Sequence, residues 1–194
     1  SIAVLTLDSE PTRQKTEGRP TIATSLVIRL VLDRADSTEA AVELIGGYAM
    51  LASSGRDYHF FITDASGDSR VVEYDCDSSE RTMTVTRVEA TTNFYAMHAD
   101  RVLPHQRNGR YGHGRERYDS VMDVIERTRG SATSEDAWEA LRVSSQPPDS
   151  EDITSNTQWS IVYSNTDLAA EASIRLHWED RFGCDLRTGD VTKL

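Results

Sequence analysis

Apolar positions recur along this chain with two different periods. Residues 2–7, IAVLTL, form an apolar run of strand length and predict a buried strand. Residues 21–35, TIATSLVIRLVLDRA, place apolar side chains at 22, 26, 27, 30 and 31, which is the stripe of an amphipathic helix. A second helix is expected from Asp36, a candidate N-cap with Glu39 three residues on, to the Gly46-Gly47 pair. The period then shortens. YHFFIT and RVVEYDC flank the turn-forming DASGDS and predict a hairpin; TMTVTRV and TTNFYAMH predict two more strands. A long polar connection covers residues 99–117. Helical spacing returns in RERYDSVMDVIERTR, with Tyr118, Val121, Met122 and Ile125 on one face, and in SEDAWEALRVSS, with Trp138 and Leu141 inward. TQWSIVYSN and LAAEASIRLHW predict a closing hairpin that turns at Asn165-Thr166-Asp167. Strands and helices come in separate runs, so the fold class expected is α+β, layered, as a single domain over residues 1–194.

Composition narrows the function classes. The net charge is −11, which argues against a nucleic-acid partner, since such a partner requires a basic face. No apolar run approaches the ~18 residues of a membrane helix, and no basic-then-apolar leader is visible, so no membrane partner and a cytoplasmic location are expected. Two cysteines, Cys76 and Cys184, are too few for a disulfide framework. Acidic neighbours in EYDCDSS are expected to raise the Cys76 thiol and suppress its thiolate. A domain that opens directly in a strand suggests a preceding segment. The sheet edge or apolar surface left without it predicts a homo-oligomer.

Few side chains announce chemistry. His98, His105 and His113 fall in one loop region, but no HExxH or comparable ligand spacing is present, and neither a metal nor a cofactor is expected. There is no GxSxG elbow, and GRYGHGRER lacks the spacing of a phosphate cradle. Asn93 is unusual for a strand, where its amide competes for backbone hydrogen bonds. Held rigidly, such an amide can donate to a developing oxyanion. Arg117, opening a helix after a glycine-rich loop, could orient a carboxylate or a nucleophile. On the residues alone, an edge-strand asparagine and a solvated surface arginine are the plainer reading.

Taken in order, several segments resemble the choloylglycine hydrolase family of linear amide hydrolases, which includes penicillin V acylases and bile salt hydrolases. They are also similar to the acyl-CoA:6-aminopenicillanic acid acyltransferase group. SIAVLTLDSEP resembles an early family strand. FFITDASGDSRVVEYD is similar to the hairpin signature that pairs Asp64 and Gly67 with Glu73. TTNFY resembles the segment supplying an oxyanion-hole asparagine, here Asn93, and GRERYDSVMDVI a helix-start arginine, here Arg117 with Arg115 as the neighbouring alternative. TQWSIVYSNTDLAAEASIR looks like the closing hairpin. The resemblance implies an N-terminal-nucleophile (Ntn) hydrolase: a four-layer αββα sandwich of antiparallel sheets, acting on a small-molecule N-acyl amide through an N-terminal cysteine. That cysteine is not among these residues, so the chain is expected to be the C-terminal majority of such an enzyme and inactive alone. Catalytic candidates are Asn93 and Arg117; Thr6, Tyr58, Phe60 and Tyr95 are candidates to bind substrate. The alternative is a non-enzymatic binding module on the same sandwich.

Overall fold

A computed structural model describes every residue except Ser54, Leu103, residues 105–108, Ile153 and Thr154. The chain divides into two compact units, Ser1–Glu116 and Arg117–Leu194. In chain order the first unit contains β1 (Ile2–Leu7), β2 (Thr21–Ala23), α1 (Thr24–Arg34), α2 (Thr38–Gly46), β3 (Ala49–Leu51), β4 (Asp57–Thr63), β5 (Ser69–Tyr74), β6 (Met83–Arg87) and a 3-10 helix (Ala96–Arg101). The helix α3 (Arg115–Thr128) starts at its last residues.

β1, β4, β5 and β6 form an antiparallel sheet in the order β1-β4-β5-β6, with Thr6 opposite Tyr58 and Phe60 opposite Val72. Alternation along the strands sorts their side chains onto two faces. On one face Phe60, Ile62, Val72 and Tyr74 pack with Val27 and Val31 of α1 and Ala41 and Ile45 of α2. Burying a side chain such as Phe60 contributes roughly 1.5–3 kcal/mol, so this face holds the helices to the sheet. The opposite face carries Asp57, His59 and Glu73, each at most 1% exposed. Buried charge is costly without hydrogen bonds, so these three identify where polar partners converge.

Several elements depart from the sequence expectation. β1 is the edge of its sheet, and Ala3 and Val4 are exposed rather than buried. Residues 21–23 are not helical: they pair in parallel with β3, and Ile22 reaches the core from a strand. The N-cap of α2 is Ser37, not Asp36; its hydroxyl accepts from the Ala40 amide at 3.2 Å. The strand expected over residues 91–98 does not form. Phe94 makes an isolated antiparallel bridge to Gly112, and the chain then turns into the 3-10 helix. Glu73 causes the turn: its carboxylate accepts from the amides of Ala96 (3.0 Å) and Met97 (2.6 Å), the orphan donors of a helix start.

The second unit holds most of α3, with Val124 buried, then α4 (Ser134–Val143), β7 (Trp159–Ser164), β8 (Ala169–Ile174), β9 (Arg181–Asp185) and β10 (Val191–Lys193). The four strands form an antiparallel sheet in sequence order. The β7–β8 hairpin is the one expected. β9 and β10 are additional strands, hidden in the sequence by Gly183 and by charged neighbours. α4 begins with a capping box between Thr133 and Asp136. Trp138 is fully buried as expected; its Nε1 donates to Glu171 at 2.8 Å, and the Arg181 guanidinium lies 4.4 Å from its ring centroid. Each unit thus contains two or more helices and its own four-stranded antiparallel sheet. Among the described residues no helix is long and apolar enough to cross a membrane.

Candidate functional site

Three pieces of the first unit meet around Asn93: the end of β1, residues 92–95, and residues 109–114. The Asn93 side-chain amide donates to the Thr6 carbonyl at 3.0 Å, while its main-chain carbonyl accepts from the His113 amide at 2.9 Å. The Tyr95 amide donates to Tyr111 O at 2.9 Å, and the Thr92 hydroxyl to Gly114 O at 2.8 Å. The approach is very close. Gly112 has φ +102°, and a Cβ there would lie 2.2 Å from Asn93 O and 2.4 Å from Phe94 Cα. Only glycine fits.

Tyr95 is anchored beneath Asn93. It is fully buried, donates to Asp57 at 2.6 Å and exchanges a hydrogen bond with Ser9 at 2.8 Å. Burial, with the Asp57 carboxylate beside it, pushes the Tyr95 hydroxyl far above its ordinary range, so it stays protonated. Asp57 also accepts from the Thr12 amide at 3.1 Å. Asn93 therefore stands on a tightly bonded base. Its side chain is fixed by a strand carbonyl, not carried on a strand of its own.

The remaining candidates are spread more widely. Thr6 and Tyr58, paired across β1 and β4, are both half-buried. Phe60 is fully buried in the core against the helices, which leaves it no face toward a substrate. Tyr95 acts as the anchor just described, not as a pocket wall. Arg117 lies half-buried on the first turn of α3, at the start of the second unit. Its neighbour Arg115 donates to Ala99 O at 2.9 Å, and its guanidinium lies 6.0 Å from the Phe94 ring centroid, against the segment that follows Asn93.

A pair that the sequence does not signal lies beside Asn93. His113 Nδ1 sits 2.8 Å from Asp8 Oδ2, and Arg56 approaches the same carboxylate at 3.4 Å. His113 was visible only as a loop histidine; its partner is 105 residues away, beyond any local pattern. Asp8 and Arg56 also line an open cavity of about 610 Å³, together with Cys76, Arg81 and Arg110. Burial, and then the Asp77 carboxylate, pushes the Cys76 thiol up, in the direction expected. His98 is buried and lies with Asp75 and Cys76, their donor atoms all within 4.8 Å of one another. His105 lies outside the described residues.

Two solved structures, both variants of conjugated bile acid hydrolase from Clostridium perfringens, superpose on the chain with TM-scores of 0.72 and 0.71. The chain has the Ntn-hydrolase fold. Each match covers 100% of this chain and 73% of the other, at 13% identity. No family model matches the sequence, and no curated protein does. At that identity the likeness is one of fold, without residue-by-residue correspondence.

Proposed function

We propose that this chain is the main part of a hydrolase acting on linear C–N bonds of small-molecule N-acyl amides. Its nucleophile would be an N-terminal cysteine carried outside these 194 residues. The observation that supports this most is the match of the whole chain to the fold of an amide hydrolase. In the proposed reaction the thiolate attacks the amide carbonyl carbon, and the carbonyl oxygen becomes an oxyanion. The Asn93 amide, its plane set by the Thr6 carbonyl, donates to that oxygen. Collapse of the intermediate breaks the C–N bond, the amine leaves with a proton, and water or a second amine then takes the acyl group from sulfur. Arg117, or its neighbour Arg115, supplies a guanidinium of the kind that can orient a carboxylate. His113, held by Asp8, fixes the main chain of Asn93 from the other side.

The test is amine release by the complete gene product from a panel of N-acyl amides. Turnover that iodoacetamide abolishes is the expected result, with Asn93→Ala lowering kcat by about 10²–10³-fold, the effect of removing one oxyanion donor. A folded product inert across the panel would overturn the proposal and favour the binding-module reading.

A further inference from the structure

A second site is built where the β5–β6 loop meets the 3-10 helix. Asp75 and Cys76 follow β5 directly, and His98 lies in the first turn and a half of the helix. His98 Nε2 is 3.3 Å from Asp75 Oδ1 and 3.8 Å from Asp77 Oδ2. The Cys76 sulfur completes a set whose donor atoms all lie within 4.8 Å of one another. These are three different donor types, an imidazole, a thiol and a carboxylate, and their combination suits a borderline-soft divalent cation.

From this arrangement we infer that Asp75, Cys76 and His98 form a binding site for a zinc-class divalent ion. In tetrahedral geometry, with metal–nitrogen and metal–oxygen bonds of about 2.0–2.2 Å, adjacent N and O donors stand roughly 3.3–3.5 Å apart. The Nε2–Oδ1 separation already has that value. A supporting shell is in place. The Asp77 amide donates to Asp75 Oδ1 at 2.8 Å, and the His98 ring is set between Tyr95 and Tyr111, centroids at 6.1 and 4.8 Å. Asp77 itself is held by Arg101 at 2.9 Å and Arg110 at 2.5 Å, so its charge is already compensated. With Asp75 and a Cys76 thiolate, a divalent ion would be neutralised, and the fourth position is left to water or to Asp77. Cys76 lines the open cavity of about 610 Å³, which provides an entry path.

The experiment uses this chain, untagged and stripped with a chelator. Zinc is titrated by calorimetry, and cobalt(II) is followed by absorption. One ion per chain is expected, with a sulfur-to-cobalt charge-transfer band in the near ultraviolet. Cys76→Ser, at a half-buried position, should keep the native circular dichroism spectrum, lose that band and bind zinc at least ~10-fold more weakly. Asp75→Asn provides a second variant with the thiol intact, and it should also weaken zinc binding. No saturable binding by the wild-type chain would overturn the assignment, as would wild-type affinity and an unchanged band in Cys76→Ser. None of these readouts depends on amide hydrolysis, so the site stands or falls apart from the proposed activity.

Discussion

Replacing Gly112 with alanine tests the geometry around Asn93 directly. The backbone at Gly112 has φ +102°, and the added Cβ would meet main-chain atoms of Asn93 and Phe94 at 2.2 and 2.4 Å. Main chain cannot rotate away as a side-chain tip could. The contact between residues 92–95 and 111–114 must open, which costs the His113-to-Asn93 and Tyr95-to-Tyr111 hydrogen bonds. Each contributes about 1 kcal/mol, and the unfavourable backbone conformation adds about 1–2 kcal/mol. The expected loss is therefore about 3–4 kcal/mol, or roughly 6–16 °C in Tm for a chain of this size. Gly67→Ala is the control. Its φ is +83°, but a Cβ there meets nothing within 4 Å, so it carries the strain alone, about 1–2 kcal/mol. The difference between the variants, about 2 kcal/mol, isolates the two hydrogen bonds. Urea denaturation at 25 °C, compared at equal m-value, measures it. If Gly112→Ala costs no more than Gly67→Ala, the two segments do not approach as described.

Two further outcomes follow from buried or capping carboxylates. Glu73→Gln keeps the shape but removes the charge that accepts from Ala96 and Met97; a loss of about 2 kcal/mol in urea denaturation is expected, and an unchanged midpoint would contradict that role. Hydrogen bonds from Ser66 and from the Thr38 amide hold the Asp64 carboxyl well below its usual range, so its stabilising contribution is complete above the ordinary carboxylate pKa of about 3.9 and is lost as pH falls below it. Asp64→Asn should accordingly flatten the acid side of the Tm-versus-pH curve while leaving its slope between pH 6 and 8 unchanged.

The parts of the fold legible in the sequence are those with local causes. The β4–β5 and β7–β8 hairpins were visible because strand alternation and turn residues adjoin in the chain, and α4 because its cap and its Trp138 face are local. The segment around Asn93 misled for a physical reason. Phe94 and Tyr95 are strand-forming residues, yet their conformation is decided by Glu73, more than twenty residues upstream, which recruits the following amides into a 3-10 helix. Phe60 illustrates a related limit: an aromatic on a strand is the same letter whether it faces a cleft or α1. The Asp8–His113 pair and the Asp75–Cys76–His98 cluster are products of tertiary folding, and no spacing in the chain foreshadows either.

The two-sided burial of β4 has a consequence for how this sequence can drift. Phe60 and Ile62 are committed to the helices, Asp57 and His59 to the polar face, and Tyr58, Phe61 and Thr63 are only half-exposed. A strand without a solvent side offers almost no neutral positions: an apolar change on one face strips partners from buried polar groups, and a polar change on the other opens the core. Its neighbour β1, exposed at Ala3 and Val4, is free to vary there. The sheet therefore grades from a tolerant edge to an intolerant second strand over a single inter-strand spacing, and sequence divergence in this fold should accumulate unevenly across one ladder of hydrogen bonds.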